Sequence, residues 1–341
     1  MNKVLLIGSG RRIQKNFIPA IACLPELFEV AGIYSRTLAH AKQLAEEKNF
    51  PLIENLSVVD FKTIDIVAIS ITTSAVPGIL RILQSVASKL TVIVDTPVFE
   101  KSTHFFSLHL FRKFKKVMVA EDYMNFPAFE LIRNAVADGA IGKVRCVSLF
   151  HNAYLHHGTA LIRSFAGFRG VFFSQSIRHC RYGKLTRYYL QGGLRGIVAE
   201  PYSPLEGRLI ISGASGIITD FNYELTKGNV EQLQLQPIVS DGLLMGYEIK
   251  SVNYNRSYYP PYLNKLRSLD ISDKSDFNLL KTCGLIRIFE SIDKPNSNTA
   301  YTLVEGVYDS LISRIARKLQ FYGDPFGILF KSALMLMRKI R

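Results

Sequence analysis

Glycine, serine and basic residues follow the first two apolar runs of this 341-residue chain. The run Val4 to Ile7 leads directly into Gly8-Ser9-Gly10 and then into a helical stretch. A glycine pair in this context allows a tight turn and lets the backbone approach a pyrophosphate, which the helix N-terminus attracts with unpaired N–H groups. Ile13 stands where this fingerprint usually has a small residue, while Arg11 and Arg12 are candidate phosphate contacts. The pattern therefore predicts a dinucleotide site at the start of the chain.

The second apolar run, Phe28 to Tyr34, ends in Ser35-Arg36-Thr37. A fold that prefers NAD(H) has an acidic residue here to hold the ribose diol, whereas Ser, Arg and Thr can hydrogen-bond and pair with a 2′-phosphate. The sequence thus favours NADP(H), with NAD(H) as the alternative cofactor. A plain turn that leads into an exposed helix is the other interpretation of these residues.

Strand-like and helix-like stretches alternate through residues 1–120. Continuous β-branched runs such as Ile64 to Ile71 are typical of strands buried on both faces, and amphipathic stretches separate them. The alternation predicts a Rossmann domain with a doubly wound parallel sheet over residues 1–120. Strands are expected over residues 3–7, 28–34, 64–71, 90–94 and 117–120, and helices over 14–24, 38–48 and 76–87.

Residues 121–341 are expected to form an α+β domain for substrate binding and oligomer contact. A helix over 128–138 and a strand over 144–150 open this half, and repeated glycine turns predict a largely antiparallel open sheet. Residues 255–275 are rich in Tyr, Pro and Ser and are expected to be irregular. The predicted fold class is α/β followed by α+β, with helices over 303–319 and 326–341 near the end of the chain.

Composition argues against several classes of protein. With 48% hydrophobic and 21% charged residues the chain is globular, and its short apolar start is too brief for a secretory signal, so a cytoplasmic protein is expected. The four cysteines form no CxxC pair, which argues against a zinc site or a disulfide framework, and no bound metal is expected.

A net charge of +14 favours anionic partners, but no nucleic-acid-binding motif accompanies it, so a nucleic-acid partner is not expected. The basic segment 326–341 is too short and too charged to span a bilayer, and is expected to dock as a helix or to make weak contact with an anionic membrane surface.

Several motifs together resemble the glucose–fructose oxidoreductase and inositol dehydrogenase family (Gfo/Idh/MocA). Besides the glycine turn they include Pro19 in the following helix, the Ser-Arg-Thr end of the second strand, Pro97 at another strand end, and Phe126-Pro127-Ala128 before a helix. The similarity runs from Lys3 to about Phe168 and is weaker over 208–221 and 303–317. It implies an NAD(P)(H)-dependent oxidoreductase that acts on a small polar metabolite and forms a homo-oligomer through its open sheet.

The resemblance also implies where catalytic groups lie, and two of them differ in this chain. Thr96 stands at the lysine of the family's Glu-Lys-Pro strand end, and Ala153 stands at the aspartate that partners a histidine. Only that histidine, His157, is retained. Because threonine is no base near neutral pH, ordinary sugar-alcohol dehydrogenation is not expected. A reductase of an imine or an activated double bond, with His157 as the candidate proton donor, fits these replacements better.

Two other functions remain open: a binding or regulatory protein that keeps the fold without catalysis, and a lyase or hydrolase that oxidises and re-reduces its substrate on a tightly held cofactor. The expected catalytic residues are His157, Tyr123 and Thr96, whereas His156 and His151 are expected to be structural. The expected cofactor-binding residues are Gly8, Gly10, Arg11, Arg12, Ile13, Ser35, Arg36, Thr37, Thr72, Thr73, Asp95 and Pro97.

Overall fold

The structure is a computed structural model that describes residues 1–179, 183–203, 205–221, 230–292, 301–319 and 321–323. The helix predicted over 326–341 and Cys180 lie outside these residues. The chain forms two compact units. Unit 1 consists of Met1–Asn125 and Pro261–Val307, and unit 2 consists of Phe126–Pro260 and Tyr308–Arg341.

Eight α-helices occur in the described part of the chain, and none of them is long and apolar enough to cross a membrane. A π-helical turn, Ile13–Phe17, runs directly into the first of them. The α-helices are α1 (Ile18–Ala22), α2 (Leu38–Lys48), α3 (Val76–Ile82), α4 (Pro127–Ala137), α5 (Leu155–Phe165), α6 (Leu263–Ser268), α7 (Asp276–Glu290) and α8 (Leu303–Leu319).

Six parallel strands form the sheet of unit 1: β1 (Asn2–Ile7), β2 (Phe28–Tyr34), β3 (Leu52–Ile53), β4 (Ile66–Ile69), β5 (Thr91–Asp95) and β6 (Lys116–Ala120). Their order across the sheet is β3-β2-β1-β4-β5-β6. Every residue of β4 is buried, as expected for an aliphatic strand covered on both faces. This strand order, with helices between the strands, confirms the predicted Rossmann fold.

A second chain segment, residues 261–307, completes unit 1, although the sequence analysis assigned all residues after 120 to the second domain. The Phe289 ring of α7 lies edge-on to Phe17 and to Phe28, with centroid distances of 6.2 Å and 5.3 Å. Residues of α6 and α7 also belong to the buried core that the first 125 residues line. The sequence did not indicate that residues 261–307 belong to unit 1, because they follow strands that belong to unit 2.

Ten strands form the sheet of unit 2: β7 (Cys146–Phe150), β8 (Val171–His179), β9 (Gly183–Leu190), β10 (Arg195–Glu200), β11 (Arg208–Ser212), β12 (Gly216–Thr219), β13 (Glu231–Ser240), β14 (Leu243–Lys250), β15 (Asn255–Tyr258) and β16 (Phe321–Gly323). Their order is β15-β14-β13-β12-β11-β7-β10-β9-β8-β16. Neighbouring strands are antiparallel except β7 with β10 and β12 with β13. This mixed sheet confirms the largely antiparallel sheet predicted for the second half.

Residues 255–275 are only partly irregular, and the prediction was wrong for the two short elements that this segment contains. Strand β15 pairs with β14, and α6 buries Leu263 and Leu266 in the core of unit 1. Both elements are short, and Tyr259-Pro260-Pro261-Tyr262 separates them. Composition hid them because a Tyr- and Pro-rich stretch obscures the periodicity of short elements on either side.

Candidate functional site

The two glycines of the first turn have different surroundings. Gly8 has a φ of +123°, and a Cβ atom on it would lie 2.2 Å from the carbonyl oxygen of Ser70 at the end of β4. Its N–H group donates to the carbonyl oxygen of Tyr34, 2.8 Å away. For Gly10, a Cβ atom would meet no atom of the described residues within 4 Å. Gly8 therefore allows the close approach of the turn to the sheet, and Gly10 leaves open space in front of the helix.

The two arginines of the turn also differ. Arg11 is exposed, whereas Arg12 points inward. Its Nη1 lies 2.6 Å from Oδ2 of Asp122, and its Nε lies 3.4 Å from Oδ1 of Asp95. Burial disfavours the charged guanidinium, but the charges of Asp122 and Asp95 outweigh it and raise the pKa of Arg12. Arg12 therefore joins the ends of β5 and β6, and Arg11 is the arginine of the turn whose side chain faces solvent.

A cavity of about 110 Å³ lies at the carboxyl ends of β4 and β5, where open α/β sheets bind ligands. The structure brings five of the sequence-predicted cofactor or catalytic residues to it. Thr73 Oγ1 also donates to Oε2 of Glu100 at 3.0 Å, within the same lining. The lining residues are Ile69, Ile71, Thr72, Thr73, Val76, Val94, Asp95, Thr96, Pro97, Val98 and Glu100.

Hydrogen bonds fix the polar end of this cavity. Asp95 Oδ2 accepts from Ser70 Oγ at 2.6 Å, and its Oδ1 accepts from the backbone N–H of Thr96 at 3.0 Å. Thr96 Oγ1 donates to Oε2 of Glu121 at 3.0 Å. Only 1% of Glu121 is exposed, so its carboxylate lies behind the threonine within the fold.

Glu121 was not among the residues predicted from the sequence. The signal that could have found it is strand register, because Asp95 of β5 pairs with Ala120 of β6 in a parallel ladder. The next residue of each strand end, Thr96 and Glu121, must then lie side by side. Applying that register requires knowing that β5 and β6 are neighbours, which the sequence indicates only through the fold.

The end of β2 carries the residues expected to select the cofactor. Ser35 Oγ accepts from the backbone N–H of Thr37 at 3.3 Å, which shapes the turn before α2. Arg36 is exposed, and no described residue holds its guanidinium in an ion pair.

Tyr123, the second candidate proton donor, follows β6 in a short 3₁₀ turn and has only 6% of its surface exposed.

In unit 2, His157 is half-buried in the first turn of α5. Its ring centroid lies 4.0 Å from that of His156 and 6.3 Å from that of Tyr154. Tyr154 is half exposed and lies 5.2 Å from Tyr202, between ring centroids. Burial and the neighbouring Tyr154 raise the pKa of Tyr202. His157 thus belongs to a cluster of aromatic and imidazole rings.

Two other predictions concern the surroundings of that helix. Ala153, at the position where the resemblance implies an aspartate, is buried and has only 1% of its surface exposed. Nδ1 of His151 lies 2.7 Å from the carbonyl oxygen of Pro201, a contact that holds two loops of unit 2 together. No group of three or more His, Cys, Asp or Glu side chains in the described ranges has a metal-binding arrangement.

These features fit a bound dinucleotide. The open space at Gly10 accommodates a pyrophosphate at the start of a helix, and Arg11 lies beside it as an exposed cation. The cavity between β4 and β5 offers threonine hydroxyls and a buried carboxylate network to the other end of the ligand. The chemistry that such a cofactor supplies is hydride transfer.

Residues 2–123 match the model of an oxidoreductase family with an NAD-binding Rossmann fold, GFO_IDH_MocA. A comparison with curated proteins gives no match.

Solved structures share the fold of the whole chain at low identity. An oxidoreductase from Agrobacterium radiobacter, in complex with NAD⁺, L-tartaric acid and magnesium, is 13% identical with a TM-score of 0.68, covering 98% of this chain and 99% of that one. A 3-ketoreductase from Actinomadura kijaniata, in complex with TDP-benzene and NADP, is 14% identical with a TM-score of 0.59, covering 93% and 97%. A super-repressor mutant of Gal80p from Saccharomyces cerevisiae is 11% identical with a TM-score of 0.66, covering 95% and 98%.

Proposed function

We propose that this chain, whose residues 2–123 belong to the GFO_IDH_MocA oxidoreductase family, is a reductase that uses NADP(H) to reduce a small polar metabolite. The substrate class is a biosynthetic intermediate or sugar derivative with a C=O, C=N or activated C=C bond. The observation that carries the proposal is the glycine turn, where the open space at Gly10 adjoins the start of a helix.

The preference for NADP(H) rests on the end of β2. Arg36 is exposed there beside Ser35 and Thr37, and no acidic residue stands among them to hold a ribose diol. An exposed guanidinium can pair with a 2′-phosphate by charge-assisted hydrogen bonds. NAD(H) remains the alternative, since structural neighbours include complexes with NAD⁺ as well as NADP.

Arg36→Ala tests the cofactor preference. Titration of the protein with NADPH and NADH, followed by nucleotide fluorescence, is expected to show tighter binding of NADPH. The substitution is expected to weaken NADPH binding about tenfold or more, the scale of a lost charge-assisted contact, and to leave NADH binding unchanged.

Arg81→Ala is the matched control, because Arg81 is an exposed arginine on α3. Failure of both nucleotides to bind the wild-type protein would contradict the oxidoreductase proposal. Equal weakening of NADPH and NADH by Arg36→Ala would contradict only the assigned preference.

His157 is the candidate proton donor within this proposal, and Tyr123 is the second candidate. With any carbonyl or imine compound that the wild-type protein reduces, His157→Gln is expected to lower kcat about 100-fold, the lower range for loss of a general acid. His109→Gln, at an exposed histidine, is the control. A kcat for His157→Gln within a factor of two of the wild-type value would remove His157 from the mechanism.

A binding or regulatory protein is the second candidate function. Thr96 and Ala153 favour it, because they replace the catalytic lysine and aspartate that the family resemblance implies at these positions. A structural neighbour that is a super-repressor mutant of Gal80p supports this candidate through its fold alone. Tight NADPH binding without turnover across a broad panel of carbonyl and imine compounds would support it, whereas net consumption of NADPH would support the reductase.

A third candidate is a lyase or hydrolase that retains its cofactor through each cycle. Nucleotide that copurifies with the protein and does not exchange would favour it. A homo-oligomer and a cytoplasmic location also remain predictions. Sedimentation that shows only a monomer at every concentration would contradict the first.

A further inference from the structure

A hydroxyl and a buried carboxylate meet at the polar end of the cavity in unit 1. Thr96 lines the cavity, and its Oγ1 donates to Oε2 of Glu121 at 3.0 Å. We propose that Thr96 and Glu121 form a proton relay, in which Glu121 holds a proton inside unit 1 and exchanges it with the substrate through the hydroxyl of Thr96. The inference rests on the proposed oxidoreductase function and adds a further candidate proton source to His157 and Tyr123.

The hydrogen-bonding capacity of threonine suits it to this task. A hydroxyl group has one donor and two acceptor lone pairs, so Thr96 can donate to a ligand in the cavity while it accepts from a protonated Glu121, and can donate to Glu121 once that carboxyl group is ionised. A relay needs no ionised threonine, because one proton arrives as another leaves. Glu121 is 1% exposed and is not among the residues that line the cavity, so it is a positioning residue that acts through Thr96.

The relay requires a proton on Glu121, and two other carboxylates lie at the same strand ends. Asp95 and Asp122 share the guanidinium of Arg12, which already faces two carboxylates. A further buried negative charge beside them is costly, because low-dielectric surroundings disfavour the ionised form.

Two neighbouring helices contribute further titratable groups. A Cβ atom on Gly284 of α7 would lie 2.3 Å from the carbonyl oxygen of Asp122, so the buried Cys283 belongs to an element packed at this point. Burial raises the pKa of Cys283 to about 12, and its thiol is therefore neutral. The first turn of α8, whose Gly306 approaches Val119 of β6, carries the buried Glu305.

The relay balances the reduction. In a reduction with hydride from bound NADPH, the C=O or C=N π bond of the substrate would break and its electron pair would pass to the heteroatom. The heteroatom takes the proton of Thr96 Oγ1, and Thr96 takes the proton of the Glu121 carboxylic acid. Glu121 is left as a carboxylate and regains a proton from water. Oxidation reverses each transfer.

Infrared difference spectra of the protein with bound NADPH minus bound NADP⁺ test the relay without a substrate. Reduction removes the positive charge of the nicotinamide, so a buried carboxylate nearby is expected to take up a proton. A carbonyl-stretch band of a protonated carboxyl group should therefore gain intensity with NADPH and shift in deuterated water. Glu121→Gln should abolish this band, and Glu26→Gln, at an exposed glutamate, should leave it unchanged.

Variants of Thr96 test the hydroxyl. Thr96→Ser keeps the donor and should leave the band in place, whereas Thr96→Val removes the donor and should shift it. If Glu121→Gln does not fold, Glu121→Asp should still move the band. With a substrate in hand, Thr96→Val should lower kcat about 100-fold with little change in KM, and Thr96→Ser should restore most of the rate.

Three outcomes overturn the relay: no carboxyl band, a band that survives in Glu121→Gln, or spectra of Thr96→Val identical to the wild type. These outcomes are distinct from a failure of the proposed function. If neither nucleotide binds, the oxidoreductase proposal itself fails. If both bind and no carboxyl group changes its protonation, only the relay fails.

Discussion

Two glycines in one turn are expected to respond in opposite ways to the same substitution. Gly8→Ala places a Cβ atom 2.2 Å from a backbone oxygen at a φ of +123°, so it should lower the free energy of unfolding by at least about 2 kcal/mol. Gly10→Ala meets open space and should leave stability within about 0.5 kcal/mol of the wild type while it weakens NADPH binding. Urea denaturation and nucleotide titration of both variants check this, and each variant is the control of the other. Unchanged stability of Gly8→Ala would contradict the close approach to Ser70.

The sequence predicted some residues of the site well and others poorly. The glycines and the residues after β4 and β5 were found because strand ends and glycine turns are local patterns. The ion pairs of Arg12 were not predicted, because Asp95 and Asp122 lie 83 and 110 positions further along the chain. Contacts of that kind depend on strand order and helix packing, which no local pattern encodes.

At the scale of elements, an ion pair between Asp273 and Lys15 joins the loop before α7 to the helical turn that follows β1. Asp273 accepts from Lys15 Nζ at 2.9 Å and from Ser275, and these hydrogen bonds lower the pKa of Asp273 to about 2. A lowered pKa means that the contribution to stability is complete above the ordinary aspartate value near 4 and is lost as pH falls toward 2.

Asp273→Asn is therefore expected to reduce the free energy of unfolding by about 1 kcal/mol at pH 7, a modest figure because the pair is partly exposed. The difference from the wild type should shrink between pH 4 and pH 2. Urea denaturation at pH 7 and pH 3 measures it, with Asp60→Asn as an aspartate control outside this contact. A difference that grows on acidification would contradict the assigned ion pair.

The bounds of some helices and strands agree with those predicted from the sequence, and others do not. Strand β2 and helices α2 and α8 have the predicted bounds. Strand β15 and α6 were missed because each is short and the stretch between them is rich in Tyr and Pro. Helix α3 ends at Ile82, earlier than predicted, and short 3₁₀ turns continue from it to Lys89.

At the scale of the whole molecule, unit 1 needs two distant chain segments. A fragment of residues 1–125 lacks α7, so Phe17 and Phe28 lose the ring of Phe289 and the core stays open on that side. The fragment is expected to show a broad, non-cooperative thermal transition by circular dichroism, whereas the full chain should unfold cooperatively. A sharp transition of the fragment at the temperature of the full chain would contradict this division.

The same division sets an order of events during synthesis. The ribosome makes residues 126–260 before it makes the segment that closes the core of unit 1. At about 5–20 residues per second, the interval before α7 emerges is roughly 10–30 s, far longer than the microseconds to milliseconds that local helix and hairpin formation takes. We therefore expect Phe17 and Phe28 to stay uncovered by Phe289 during this interval, when the exposed apolar surface makes the nascent chain prone to aggregation.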